Sequence, residues 1–473
     1  MTERHGSTFE QKDKAITVQN QTTNSMPQSP PQPAPEAPGP TLGERLVAGS
    51  LPALSEQYLD LLALEWRARG EGIDSYTCDF RDLCEWDDRM QAYADALVLI
   101  DGKAGDLALK RLEDPLTEAD LFAIALQALR TRDRSLNHAC LALVHGLPQM
   151  THPYRAALEW ASWPDIEAAA ELLHAEEELQ QILILHALAH HEVVLAPQEV
   201  DHWLQRLAPS PEARITALRC SLLRGEPAWA VSAREWIDAP EPELQLTAAE
   251  ALITFGDAGQ RRAMLPRLRD LALTSGKVAE QAARGLLVIP CTEAQDLLDA
   301  LSADPGRQRL YLQGLGWAGD IAAVPILTEA LDDPAVARIS SAVIGMLTGS
   351  NPVRDNWQGE TPALPAVADN VDPDSDDIPL LDPDSGLPWP SRAGFEAWWQ
   401  ARRDYLPPNC HYLAGRPRES GHLLHILHTG CLAWRHDAAW LIQIMTRGRR
   451  LACTDPAPRQ QHLLNTDKET NHA

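Results

Sequence analysis

Between about Leu42 and Gly349, apolar side chains recur at the three- and four-residue spacing of amphipathic helices. Alanine and leucine dominate these segments, and no stretch alternates between apolar and polar residues as a half-buried strand does. Short breaks such as "DGKAGD", "APSPEAR" and "DDPAVA" separate helical segments of about 10 to 15 residues. The pattern predicts an all-α fold in which helix follows helix through short connections.

Several of these helical segments repeat one another. "TALRCSLLRGE" (216–226), "TAAEALITFGD" (247–257), "LYLQGLGWAGD" (310–320) and "SSAVIGMLTGS" (340–350) align without gaps, and "QAARGLLVIPC" (281–291) fits between them. The column that ends the helices contains Gly225, Gly256, Pro290, Gly319 and Gly349, at spacings of 31, 34, 29 and 30 residues. A helical repeat with a period near 30 residues is typical of stacked α-solenoids. We therefore predict a HEAT- or armadillo-like solenoid over residues 41–350.

The column of glycines predicts a turn at the end of each first helix. Glycine can adopt the left-handed conformation of the C′ position without steric cost. Asp257 and Asp320 follow it and are good N-caps for the next helix. Gly314 lies in a column of mostly small residues, which would let neighbouring helices approach closely. Gly316 is unexplained, because the other segments have Leu222, Ile253, Leu287 and Met346 at its position.

Composition divides the remainder of the chain. Residues 1–40 include "MPQSPPQPAPEAPGP" and are predicted to be a disordered, proline-rich tail, with binding to a proline-recognising module as the alternative. Residues 351–390 are rich in Pro and Asp and are predicted to be an acidic linker or loop. Helical patterns resume in 391–464, predicted to be a small C-terminal helical unit, and 465–473 is predicted to be a polar tail.

The charge of the chain narrows the classes of partner. It has 473 residues with a formal net charge of −26, and such a surface repels nucleic acid and anionic lipid. The eight cysteines are scattered without a C-x-x-C pair, which is typical of reduced thiols in a cytosolic protein. The N-terminus has no apolar signal region, and no apolar run approaches the length of a membrane span. The sequence predicts a cytoplasmic protein that binds neither nucleic acid nor membrane.

The C-terminal motifs carry a resemblance to a known family. They are "DPDSGLPWPSRAGFEAWW" (382–399), "CHYLAGRP" (410–417), "HILHTGCLAWRHDAAWLI" (425–442) and "DPAPRQQHLL" (455–464), together with "LEWRAR" (64–69) and "WDDRMQAYADAL" (86–97). In these stretches the chain resembles a family of uncharacterised proteobacterial HEAT-repeat proteins, over about residues 45–464. Members are often encoded near type VI secretion components, which implies an accessory or adaptor role. The family implies no catalytic residues.

One stretch has the G-x-G-x-x-G spacing of a dinucleotide-binding loop, formed by Gly314, Gly316 and Gly319. No strand pattern precedes it, and we therefore interpret it as a repeat turn.

His186 and His190 lie four residues apart with Glu192 close by, but too few ligands accompany them to predict a metal. The triad His422, His425 and His428 is predicted to be a partly exposed helix face beside a leucine core.

The acidic loop is the most suggestive polar stretch. Asp372, Asp374 and Asp376 have calcium-loop spacing, but Asp377 replaces the glycine of an EF-hand and Pro383 the final glutamate. The loop is predicted to be solvated, with weak cation binding or docking of a basic partner as alternatives. We assign Asp372, Asp374, Asp376, Asp377 and Trp389 as candidate partner-binding residues. The sequence predicts no catalytic residue, no cofactor and no metal.

Two functions from different classes remain. The first is a protein-binding HEAT-repeat scaffold or adaptor, accessory to type VI secretion and steered to a basic partner by its acidic surface. The second is a HEAT-type enzyme, either a lyase or a metal-dependent hydroxylase. A DNA-binding HEAT protein of the glycosylase type would need a basic face, which the net charge of −26 argues against.

Overall fold

The computed structural model describes residues 42–100, 103–169, 177–193, 210–230, 232–362, 382, 384–408 and 410–470. The chain divides into two units, 1–48 and 49–473, and the described part of the first, residues 42–48, is helical. The predicted proline-rich tail lies outside the described residues. So does most of the acidic loop, including Asp372, Asp374, Asp376 and Asp377.

The described residues are mostly helical, as predicted. The helices are Leu42–Gly72, Phe80–Ile100, Lys103–Arg111, Glu118–Thr131, Arg134–Gly146, Thr151–Trp160, Trp163–Ala168, Glu178–His190, Pro211–Arg224, Pro242–Phe255, Ala258–Ala272, Lys277–Leu287, Thr292–Ser302, Gln308–Ala318, Val324–Glu329, Ala337–Thr348, Arg392–Gln400, Ser420–Thr429, Leu432–Thr446 and Ala457–Thr470. Two antiparallel strands of two residues each, Tyr412–Leu413 and Arg416–Pro417, form the sheet. The polar tail predicted from 465 is helical as far as Thr470, since the last helix, Ala457–Thr470, includes these residues.

Eight helices form a row in which each packs against the next. We call them the row helices: Glu118–Thr131, Thr151–Trp160, Glu178–His190, Pro211–Arg224, Pro242–Phe255, Lys277–Leu287, Gln308–Ala318 and Ala337–Thr348. Further helices lie between the later row helices. One of them, Ala258–Ala272, packs against the row helix before it and the row helix after it. The faces that meet are apolar and buried, and each helix thus covers an apolar stripe that it could not bury alone.

Three of the four glycines at the ends of the aligned helices adopt the expected left-handed turn. Gly225, Gly319 and Gly349 have φ values of 69°, 75° and 71°, in the left-handed region. For Gly256 the left-handed expectation is wrong, since its φ is −65° and its backbone is extended. Arg447 donates to the carbonyl oxygen of Gly256, so this helix end is bound by a side chain instead of by a left-handed turn.

The two aspartates after the glycines cap the following elements. Asp257 accepts a hydrogen bond from the backbone N–H of Gln260 at 2.8 Å, and the Gln260 side chain accepts one from the N–H of Asp257. This reciprocal pair is a capping box. Asp320 accepts a hydrogen bond from the N–H of Ala322 and begins the short 3₁₀ turn Ile321–Ala323 rather than an α-helix.

Gly316 allows two row helices to pack closely. A Cβ atom at this position would lie 2.8 Å from Cγ1 of Val343 and 3.1 Å from Sδ of Met346, both on the next row helix. Gly314 is similar, because a Cβ there would lie 2.9 Å from Cδ1 of Leu287. The motif that resembles a nucleotide loop is thus the interior and end of a helix, and its glycines are set by packing.

The C-terminal helices do not follow the row as a separate layer. Residues 410–464, which we call the return segment, run back along the C-terminal ends of the row helices. The N–H of Ala414 donates to the carbonyl of Met346, and the N–H of Tyr412 donates to Gly319. Further along, the N–H of Arg450 donates to Leu222. Return-segment residues such as Leu423, Ile426 and Trp440 share one apolar core with the later row helices.

Arginines complete this attachment by donating to carbonyls at helix ends. Arg418 donates to the carbonyls of Trp317 at 2.8 Å, Val288 at 3.3 Å and Tyr412 at 3.1 Å. The last carbonyls of a helix have no intrahelical donor and carry the negative end of the helix dipole. A guanidinium with five N–H groups therefore satisfies several orphan acceptors at once.

The close packing at Gly316 can be tested against Gly285, another helical glycine whose Cβ would meet nothing within 4 Å. We expect Gly285→Ala to raise the free energy of unfolding by about 1 kcal/mol, because alanine is the better helix former. Gly316→Ala should be less stable than Gly285→Ala by about 1–3 kcal/mol, because Val343 and Met346 must move. Denaturant unfolding measures both, and equal stabilities would contradict the packing role.

The arginine attachment can be tested at Arg418. We expect Arg418→Ala to lower the free energy of unfolding by about 3 kcal/mol, because buried carbonyls lose a charged donor. Arg418→Lys should recover little, since one ammonium cannot reproduce the planar fork. The control is Arg403→Ala. The exposed side chain of Arg403 pairs with Asp404 at 3.7 Å and with no other acidic group among the described residues, so its loss should change stability by less than about 0.5 kcal/mol. A similar effect of the two alanine variants in chemical denaturation would contradict the account.

Candidate functional site

A cluster of ionisable side chains lies where two row helices meet the return segment. Glu159 is in the last turn of Thr151–Trp160, and His186 and His190 lie one turn apart near the end of Glu178–His190. Because residues four apart share a helix face, both imidazoles point toward the same neighbour. Asp455 reaches the cluster from the return segment.

The distances within the cluster are short. Nε2 of His186 lies 2.8 Å from Oε1 of Glu159, at hydrogen-bond distance. One ring nitrogen of each histidine and one carboxylate oxygen of Glu159 all lie within 4.8 Å of one another. Nδ1 of His190 is 3.6 Å from Oδ1 of Asp455. The cluster therefore gathers two imidazoles and two carboxylates in one small volume.

His190 is the most deeply buried member, with 1% of its surface exposed. Its Nε2 is buried and has no hydrogen-bond partner among the residues that the structure describes. Buried polar atoms in native structures are nearly always satisfied, so we expect a water molecule or an ion at this nitrogen. No other group of His, Cys, Asp or Glu in the described ranges has ligand atoms this close together.

Burial and charge set the protonation states of the cluster. Burial lowers the pKa of His186, and it lowers the pKa of His190 well below its ordinary value. Burial also opposes the ionisation of Glu159, but the hydrogen bond with His186 and the nearby positive charges hold the pKa of Glu159 below its ordinary value. Burial and the facing carboxylate of Glu159 raise the pKa of Asp455 to about 7. Burial thus disfavours the charged forms of both imidazoles and of Asp455, whereas the hydrogen bond with His186 favours the ionised form of Glu159.

A buried ion pair between the first two helices, Arg69 with Asp87, holds Asp455 of the return segment in place. Arg69 donates through Nε to the carboxylate of Asp87 at 2.6 Å and through Nη2 to the carbonyl of Asp455 at 2.8 Å. Asp87 also accepts from the N–H of Ala457 at 2.6 Å, at the start of the last helix. Arg459 donates to the Asp455 carboxylate at 2.9 Å. These contacts give the motif "DPAPRQQHLL" a structural role.

The sequence paired the two histidines with the wrong glutamate. Glu192 has a φ of 53°, and its carboxylate lies 3.2 Å from Arg449 in the return segment, an ion pair outside the cluster. Glu159 is 27 residues before His186, beyond the reach of helical spacing, and only the packing of two row helices brings them together. The missed signal was a carboxylate at the end of the preceding row helix.

Of the remaining candidate positions, the structure describes Trp389 and the three histidines of 422–428. The ring of Trp389 is half-buried with the Arg338 guanidinium over it at 4.5 Å, and its carbonyl accepts from the N–H of Gly359. His422 contacts the carbonyl of Leu413 and His425 contacts Thr429, as expected for a helix face beside a leucine core. All eight cysteines are unpaired.

Comparisons with known proteins identify no relative of the chain. A scan of protein-family models finds no match to the chain. Searches of the curated proteins and of the solved structures find no match either. Within the described ranges, no helix is both long enough and apolar enough to cross a membrane.

The buried pair that positions Asp455 generates a stability prediction. We expect Asp87→Asn to lower the free energy of unfolding by about 3–5 kcal/mol, because it leaves the Arg69 charge buried without its partner. It should also increase amide exchange at the start of the helix Ala457–Thr470, which loses a charged acceptor. The neighbouring exposed residue supplies the control, Asp88→Asn, which should change neither quantity. Unchanged exchange in Asp87→Asn would contradict this role of the pair.

Proposed function

We propose that the protein is a protein-binding helical scaffold, built as a HEAT-like stack of helical repeats. The row of helices packed in chain order supports this architecture, since stacked repeats contact mainly their neighbours. Such proteins present long surfaces on which partners dock.

The distribution of charge is the observation that carries this proposal. Of the 41 basic residues 35 are arginines, and many of them are committed to carbonyls within the chain. Among the described residues, the arginines that donate to backbone carbonyls are Arg69, Arg224, Arg261, Arg284, Arg307, Arg338, Arg354, Arg418, Arg435 and Arg447. Acidic side chains such as Asp88, Glu113, Asp114, Glu280 and Asp299 are exposed. The surface is therefore acidic, and a basic protein is the complementary partner.

The link to type VI secretion rests on the sequence resemblance alone. On that basis we propose a secretion component or an effector with a basic surface as the partner. Long-range attraction between the acidic surface and this partner would accelerate their encounter and weaken with salt.

A metal-dependent enzyme of the hydroxylase kind is the second candidate function. The observation that favours it is the cluster of Glu159, His186 and His190, since two histidines and a carboxylate are ligands that such enzymes use. The acidic surface does not discriminate between the two functions.

Affinity purification of the full chain from its native host, followed by mass spectrometry, tests the scaffold proposal. We expect a basic protein to be enriched at low salt and largely lost when the wash contains about 0.5 M salt, where exposed charges are screened. An unrelated acidic protein of similar size and net charge serves as the control bait. If the chain enriches no protein beyond those that the control bait enriches, the scaffold function is contradicted. If it enriches proteins that include no secretion component or effector, the type VI link is contradicted.

A further inference from the structure

We propose that Glu159, His186 and His190 form a binding site for one divalent transition-metal cation, with Zn²⁺ as the representative ion. This inference concerns a site inside the helical row and does not depend on the scaffold function. It rests on the geometry of the three side chains and on the unpartnered nitrogen of His190.

The three groups are suitable first ligands. Imidazole nitrogens bind Zn²⁺ at about 2.0–2.1 Å and carboxylate oxygens at about 2.0–2.2 Å, which places tetrahedral ligand atoms about 3.4 Å apart. Here the three ligand atoms lie within 4.8 Å of one another, and His186 and Glu159 are 2.8 Å apart. Small side-chain movements therefore suffice to surround a cation, with no change in the helices that carry the ligands.

The environment of His190 matches that of a metal ligand. Histidines that bind metals through one ring nitrogen generally direct the other to a carboxylate, which fixes the ring. Nδ1 of His190 faces Asp455 at 3.6 Å, and Nε2 has no protein partner in the described part of the chain. Nε2 is therefore the atom left to bind the cation, and Asp455 is the positioning residue behind it.

The charge of the cluster also favours a cation over a plain hydrogen-bonded pair. A pair formed by His186 and Glu159 alone leaves a buried nitrogen of His190 unsatisfied, which costs desolvation free energy. Two carboxylates, Glu159 and Asp455, lie beside the two imidazoles, so the cluster offers both nitrogen and oxygen donors of the kind that bind Zn²⁺.

Three protein ligands leave one coordination position of a tetrahedral ion for a water molecule or another small ligand. The Glu159 side chain keeps 20% of its surface exposed, whereas that of His190 keeps 2%. The cation would therefore enter past Glu159.

The test uses the untagged full chain, stripped of metal with a chelator and titrated with Zn²⁺ by calorimetry. We expect one ion to bind per chain and to raise the melting temperature, because it binds only the folded protein. Glu159→Gln and His190→Gln should each weaken binding at least about 100-fold, since even an outer carboxylate contributes about 10- to 100-fold. Asp455→Asn should weaken it by about 10- to 100-fold.

The matched control is His145→Ala. His145 forms an exposed pair with Glu177 at 3.8 Å and should leave the affinity and stoichiometry unchanged. Circular dichroism establishes which variants fold. Wild-type affinity in a folded Glu159→Gln or His190→Gln variant would overturn the proposal, as would the absence of stoichiometric binding to the wild type.

If the ligand variants do not fold, proton NMR of the wild type loaded with Co²⁺ tests the proposal instead. Its proton NMR spectrum should contain two hyperfine-shifted exchangeable signals, one from the remaining N–H of each bound imidazole. Fewer than two such signals would overturn the proposal. This readout requires no activity and is independent of any protein partner.

Discussion

The donation of hydrogen bonds from the return segment to the C-terminal ends of the row helices is the interaction on which the rest of this structure depends. Every helix leaves carbonyls unsatisfied at its end, and a row of parallel ends concentrates them along one edge. Tyr412, Ala414, Arg418 and Arg450 supply backbone or guanidinium donors along this edge. From Ala414 through Arg418 to Arg450, the acceptors Met346, Trp317 and Leu222 follow in the reverse order of the chain. The glycines at the helix ends serve the same contact, since a Cβ at Gly349 would lie 2.7 Å from the carbonyl oxygen of Ala414.

This attachment also builds the candidate site. Glu159, His186 and His190 belong to the early row, and Asp455 belongs to a segment almost 270 residues later in the chain than His186. The Arg69–Asp87 pair holds the two parts together by binding the backbone on both sides of Pro456. A cation at the cluster would therefore bridge helices of the row, and the return segment would set its affinity.

Local pattern predicted the helices, the left-handed turns at Gly225, Gly319 and Gly349, and the cap at Asp257, because each depends on residues within one turn. Features set by contacts distant in sequence could not be predicted. Gly316 faces Val343 and Met346 across a helix interface, Gly256 lies against Arg447, and Glu159 joins the histidines only through packing. Helical periodicity also predicted the C-terminal helices, but it contains no information on which edge of the row they would bind.

The most direct test of this account is native-state hydrogen exchange of the full chain in increasing denaturant, which reports the free energy of opening for each region. If the return segment holds the row helices together, amides of 411–418 and of the last turns ending at Gly319 and Gly349 should open with one shared free energy and one denaturant dependence. The account would be contradicted if the return segment opened at much lower free energy while the last turns of the row helices remained fully protected.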